Sequence, residues 1–203
     1  MKKHILLVAV AGLMLNCAAA GAQEAAPAAP AAPVAGKPDV NRVQDWFVRC
    51  FPVNSPSPCD MFQELDDQRT QQRVVSLSFA FVPSLNRHAL QISVPLEISI
   101  PKGLTLQTDN YTSPVLKYRR CDRSGCYVEM AVDNALIESL ARSGPAAKVN
   151  IAADNGKAYG LNFSLKGFTA AHDDMVAKAR AKAKSVSQPG AEAAAPAAPA
   201  ATP

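Results

Sequence analysis

Apolar and polar positions alternate with a period of two through the middle of the chain. In 73–82 (RVVSLSFAFV) Val75, Leu77, Phe79 and Phe81 share one face and Ser76 and Ser78 lie on the other. In 89–100 (ALQISVPLEISI) Leu90, Ile92, Val94 and Leu96 fall on one side, and Ile98 and Ile100 continue the parity. In 45–51 (DWFVRCF) Trp46, Val48 and Cys50 coincide. This alternation predicts half-buried strands. Around Asn155-Gly156, Val149, Ile151 and Ala153 precede and Leu161, Phe163 and Leu165 follow. That arrangement predicts a hairpin with a two-residue type I′ turn, which takes positive φ at both positions. Two segments change to helical spacing. Asp133 is placed to cap NALIESLARSG, with Leu136, Ile137 and Leu140 on one face and Gly144 as terminator. GFTAAHDDMVAKARAKAKS carries Phe168, Ala171, Met175 and Ala179 on one side, with acids early and bases late, as the helix dipole favours. Many strands with one or two short helices predict a mainly β, β-sandwich-like single domain.

The ends depart from this pattern. Residues 1–22 have Lys2 and Lys3, an apolar run from Ile5 to Leu15, and small residues Ala20-Gly21-Ala22. This is the three-part layout of a secretory signal peptide, cleaved after Ala22; its apolar run is shorter than the about 20 residues of a membrane span. The rival reading lipidates Cys17, but Met14-Leu15-Asn16 makes a poor lipobox. Residues 23–39 and 187–203 are Ala/Pro-rich, favouring extended conformers over a packed core. Much of the 48% hydrophobic content is this alanine. The domain is therefore placed at 40–172, followed by a basic helical extension over 173–186 and a disordered tail over 187–203.

Charge adds little. The formal net charge of +4 falls to +2 once Lys2 and Lys3 leave with the signal peptide, and no nucleic-acid partner is implied. Cysteine usage adds more. Export places the chain in an oxidising compartment, the periplasm or the outer-membrane or cell surface. Of 5 cysteines, Cys50, Cys59, Cys121 and Cys126 remain after the leader, and four cysteines allow three pairings. In YRRCDRSGCYVEM, the segments VLKYRRC and CYVEMAV read as two strands joined by Asp122, Arg123, Ser124 and Gly125. That predicts a four-residue hairpin loop with Cys121 facing Cys126. Zinc competes poorly: the spacing is four, and His88 and His172 have no cysteine beside them in sequence. A thioredoxin-like site needs Cys-x-x-Cys at a helix start. Cys50 and Cys59 flank a proline-rich loop. The expected bridges are Cys50–Cys59 and Cys121–Cys126.

The ordered segments DWFVRC, CDMFQE, IPKGLTL, RRCDRSGC and FSLKGFTAA resemble the invasion-associated locus B family of exported bacterial proteins, over Val43 to Ala171. The resemblance implies a small, disulfide-containing, β-rich exported domain with a name taken from host-cell invasion by some members. It supplies no catalytic residues.

A direct search for chemistry yields no nucleophile elbow, phosphate loop or zinc-protease motif. His88 reads as a surface loop residue beside Asn86 and Arg87. His172 neighbours Asp173 and Asp174, but adjacent helical residues do not face each other. Asp66-Asp67 reads as a solvated turn, Trp46 as core, and Pro101-Lys102-Gly103 as a turn. Lys178, Arg180, Lys182 and Lys184 are candidates for weak contact with anionic membrane or lipopolysaccharide; their spread around the helix also suits a solvated, frayed segment. The expectation is an exported, non-enzymatic envelope protein, without cofactor or metal, that acts by contact with an envelope or host protein. The alternative is a periplasmic module binding a small ligand in a pocket between sheets.

Overall fold

The structure, a computed structural model, describes residues 36–187, with side chains through Ser185. The expected signal peptide, Cys17, most of the N-terminal linker and the tail from 188 lie outside the described residues. In chain order the strands are β1 (Asp39–Val43), β2 (Trp46–Cys50), β3 (Cys59–Asp66), β4 (Arg73–Val82), β5 (Arg87–Val94), β6 (Leu104–Gln107), β7 (Arg120–Asp122), β8 (Gly125–Val132), β9 (Ala146–Ala152) and β10 (Ala158–Ser164). Helix α1 spans Asn134–Arg142 and α2 spans Phe168–Ser187. One antiparallel sheet has seven strands in the order β1-β2-β3-β4-β5-β8-β7; a second has three, β10-β9-β6. The fold is mainly β, with two helices and two disulfides.

Strand β4 follows its alternation residue for residue. Val75, Leu77, Phe79 and Phe81 are buried, and the residues between them are half-buried. The inner face of β2 (Trp46, Val48, Cys50) behaves likewise. β5 departs from the expectation: it ends at Val94, because Pro95 has no N–H to continue the ladder. Leu96 and Ile100, assigned by parity to the core, are exposed. The chain then makes a short 3-10 turn at Ile100–Lys102.

The turns are tighter or differently built than their sequences suggest. β9 and β10 stop pairing at Ala152↔Ala158, and Gly156 alone takes positive φ, 87°. The Gly156 N–H donates to the Ala153 carbonyl. A type I′ turn needs two left-handed residues; this longer loop needs one. In the β7–β8 hairpin Asp122 pairs with Gly125, so the loop is two residues, Arg123 and Ser124, rather than four. Gly125 is obligatory: its φ is 143°, and a Cβ there would overlap the Val94 carbonyl oxygen.

Asp133 caps α1 by accepting from the Leu136 N–H at 2.9 Å, and Leu136, Ile137 and Leu140 are buried. Gly144 is not the left-handed terminator expected. The C-cap is Ser143, extended, and the Gly144 N–H donates to Asp109 Oδ2 at 3.1 Å.

Both disulfides join directly paired cross-strand residues, Cys50–Cys59 between β2 and β3 and Cys121–Cys126 between β7 and β8. They close rings across sequence separations of 9 and 5. Loop-closure entropy gives such rings about 2–3 kcal/mol each, and each pins the register of one hairpin.

The core lies between the large sheet, the small sheet and α2. Trp46 stands at their junction. Its ring meets Phe79 of β4, Phe163 of β10 and Phe168 of α2, with centroids 6.0, 6.5 and 5.4 Å away. Its indole N–H donates to the Ser164 carbonyl at 3.1 Å. Helix α2 runs through the expected domain boundary at 172/173 without a break, for 20 residues. Met175 and Ala179, beyond that boundary, are completely buried. The segment 173–186 is thus a continuation of a core helix rather than an appended extension, because its small and apolar side faces β2, β3 and β4.

Candidate functional site

The seat of α2 on the large sheet gathers most of the residues with chemical character. Its entry is fixed by Gly167 (φ 80°), where a Cβ would come within 2.8 Å of the Val43 carbonyl oxygen. The first helical residue, Phe168, packs edge-on against Trp46 and Phe79. One turn later His172 comes down on β5, where His88 points inward. The two Nε2 atoms are 2.9 Å apart.

This pair was not anticipated from the sequence. His88 is a strand residue, 8% exposed, rather than a surface loop residue. His172 also bonds its neighbour: its Nδ1 lies 3.0 Å from Asp173 Oδ1, although their positions along the helix argued against contact. Parity contained the signal. His88 continues the inner face of Leu90, Ile92 and Val94. His172 lies four residues after Phe168 and three before Met175, on the helix side that faces the sheet.

The partners dictate the protons. Asp173 can only accept, so His172 Nδ1 carries hydrogen. With both rings neutral, its Nε2 accepts from His88 Nε2–H, which leaves His88 Nδ1 as a buried lone pair with no partner among the described residues. A second proton between the rings would set two N–H groups against each other at 2.9 Å. His88 is further enclosed by the Phe81 ring, 5.0 Å away. The guanidinium of Arg180 covers the Phe81 ring at 5.2 Å and donates to Asn86 Oδ1 at 3.0 Å. Burial first, then repulsion from the Arg180 guanidinium and from the His172 ring whenever that ring carries a proton on both nitrogens, lowers the His88 pKa from the usual histidine range.

The linkage sign follows. Below the ordinary histidine value of 6.5 the unfolded chain binds more protons at this position than the fold does, so unfolding takes up protons. The stability contributed by neutral His88 is complete above that value and is lost as pH falls toward the depressed one. Urea midpoints measured from pH 7.5 down to 5 should therefore fall more steeply for the parent than for His88→Gln, which keeps an amide donor near His172. Equal slopes would contradict the assignment.

The basic candidates separate into two kinds. Lys178 pairs with Asp174 at 2.9 Å, and Arg180 is engaged with Phe81 and Asn86. Lys182 is half-buried beside the proline-rich loop Val53–Pro58, and Lys184 is exposed. The four are therefore not one cationic face. The four cysteines stand at two separate hairpins. Among the described residues no group of three or more His, Cys, Asp or Glu is close enough to hold a metal ion.

A groove of about 680 Å³ opens on the other side of the β4–β5 turn. Tyr111, Leu116, Met130 and Leu136 give it an apolar floor, with Arg87 and Asp133 at its polar side. Near its floor, Gly103 (φ 66°) meets the Leu116 carbonyl so closely that a Cβ would overlap it. The turn at Pro101-Lys102-Gly103 is thereby pinned to the 111–116 segment.

Comparison with known proteins places this architecture. The family model described as invasion associated locus B (IalB) protein matches residues 46–176. Invasion protein B homologs from two strains of Brucella abortus are each 29% identical over 131 residues, covering 64% of this chain and 75% of theirs. The crystal structure of invasion associated protein b from Bartonella henselae superposes with a TM-score of 0.60 at 20% identity, covering 68% of this chain and 96% of that one. That likeness is one of fold. None of these names describes an enzymatic activity.

Proposed function

The chain belongs to the invasion associated locus B family, and on that premise we propose that it is an exported protein of the cell envelope that works by contact rather than by catalysis. The observation that carries this reading is the placement of the two disulfides. Each closes a hairpin at a different part of one seven-stranded sheet. Such short rings persist in an oxidising compartment and stiffen a surface that is presented to others. The leader-like residues 1–22 support export. The relatives' names speak of invasion, and the reading extends this to contact with an envelope or host protein. Lys184, exposed on the side of α2 turned away from Met175 and Ala179, and half-buried Lys182 beside the 53–58 loop are the residues that would touch an anionic membrane or lipopolysaccharide.

The test uses native-host cells. Thiol alkylation without reductant should leave Cys50, Cys59, Cys121 and Cys126 unmodified. The protein should also be found in the periplasmic fraction, or be cleaved by external protease on intact cells. Recovery in the cytosol with reduced thiols would end the reading.

A second reading is favoured by the groove below Arg87: a small, partly apolar ligand bound there. Small-molecule envelope extract should then raise the unfolding temperature of the parent and not of Met130→Trp, which fills the groove. No shift with the parent would remove this reading.

A further inference from the structure

The edges of the two sheets are not equally guarded. Exposed edge strands carry open N–H and C=O groups and are commonly blunted by charges, prolines or covering segments. β1 carries Asp39 and Arg42, and the short β7 carries Arg120 and Asp122. β6 is covered by 111–116, through isolated bridges from Leu104 to Leu116 and from Gln107 to Thr112. β10 has none of these devices. Its outer part reads Ala158-Tyr159-Gly160-Leu161-Asn162, exposed apart from half-buried Leu161, without charge or proline.

The outward groups of this edge follow from one anchored residue. The Ser164 N–H donates to Gln63 Oε1, and the Ser164 carbonyl accepts from the Trp46 indole N–H. Both Ser164 groups thus point away from β9. Antiparallel pairs alternate, so those of Asn162, Gly160 and Ala158 point the same way. All three residues are exposed, and among the described residues β9 is the only strand paired with β10.

Beside the edge lies an apolar groove of about 260 Å³, lined by Val74, Leu96, Ile98, Tyr159 and Leu161. Leu96 is 49% exposed and Tyr159 39%. Glu97 and Asp154 stand at its rim, joined through the Asp154 N–H and the Glu97 carbonyl at 3.1 Å. Neither carboxylate has an ion-pair partner among the described residues. Glu97 is held at φ 66°, a conformation unfavourable for a residue with a Cβ. Of the nearby cations, Lys157 lies over the Tyr159 ring at 5.0 Å. Lys148 lies over Gly160, on the opposite face of the small sheet from the groove.

We propose that the open edge of β10 and its groove take an extended peptide segment of a partner protein, which adds as a fourth strand to the small sheet. Side chains opposite Tyr159 and Leu161 would continue the face those residues occupy, and so enter the groove. A flanking lysine or arginine would meet Glu97 and Asp154. Backbone bonds supply affinity in such strand addition, and alternate side chains supply selectivity. The proposal rests on the contact reading above, but its test with purified protein fails or succeeds independently of where the protein resides in the cell.

The test is a titration of the isotope-labelled purified chain, followed by amide shifts. The probes are the peptides Lys-Thr-Val-Thr-Val-Thr-Lys and Glu-Thr-Val-Thr-Val-Thr-Glu. The first should shift the amides of Ala158, Gly160 and Asn162, and the second should bind more weakly. Gly160→Pro removes an outward N–H without removing a backbone bond to β9, its Cβ displacing the flexible Lys148 side chain, and should lower affinity about tenfold, the value of one edge hydrogen bond. Glu97→Lys with Asp154→Lys should reverse the preference between the two peptides. Equal binding of both peptides, or shifts confined to β1 or β7, would overturn the proposal. So would β10 shifts that depend on protein concentration without peptide, since these would mark a second copy as the occupant.

Discussion

Replacing Trp46 with alanine should destabilise the fold by about 3–5 kcal/mol, the range for deleting a large buried aromatic. The urea midpoint should fall by roughly 2 M for a typical denaturant slope. The size of the effect comes from the position. Trp46 is wholly buried, and its ring is shared by the large sheet, the small sheet and α2 through Phe79, Phe163 and Phe168. Its truncation opens a cavity that no single element can collapse to fill. Trp46→Phe separates the parts of the loss. It keeps an aromatic ring and removes the indole N–H, leaving the Ser164 carbonyl with the longer 3.4 Å contact from Gln63 Nε2. Its cost should be about 1–2 kcal/mol. If Trp46 were a binding aromatic, alanine would leave the midpoint where it was. An unchanged midpoint would therefore reverse the assignment of this residue to the core.

What the sequence made legible depended on how much of each element is buried on one side. β4 was readable because one face is core while Ser76 and Ser78 interrupt the other, which is only half-buried. The inner face of α2 was readable for the same reason, at helical spacing. β1 was not, because an edge strand that is exposed nearly throughout carries no alternation to detect. Parity carried on too far past Pro95, where three more apolar residues kept the period but the ladder had lost a donor. The local cysteine spacing was enough to suggest the pairing that the structure contains, since each bridge closes a neighbouring hairpin. The histidine pair was hidden for a different reason. His88 and His172 are 84 residues apart, and only the docking of α2 onto β5 brings them together. Each had its face written in the pattern, but a polar residue on an apolar face was read by its type instead of its phase. The β10 edge was equally silent, because an open strand edge is defined by which strands do not pair with it, and strand order lies beyond local periodicity.

Ending the chain after His172 should cost most of its stability, whereas ending it after Ser187 should cost little. The two products differ by the helical segment 173–187. Met175 and Ala179 within it are fully buried against the large sheet, and Val176 packs beside them. Loss of the Met175 side chain alone is worth about 2–5 kcal/mol. The whole stability of a single domain is about 5–15 kcal/mol. The shorter chain also loses Arg180 from the face of Phe81, and Asp173, which fixes the proton on His172 Nδ1. Phe79, Phe81 and Trp46 would then border a water-filled trough. The shorter chain should accordingly bind a hydrophobic dye at neutral pH and unfold at a urea midpoint lower by 1 M or more for a typical slope of about 1–3 kcal/mol per molar. The expectation is opposite if 173–187 is an appendage that merely continues a helix. In that case the two chains would share one midpoint and neither would bind dye. The distinction decides how the basic residues of α2 can be studied: Lys182 and Lys184 can be replaced singly, but the segment that carries them cannot be removed without dismantling the core it closes.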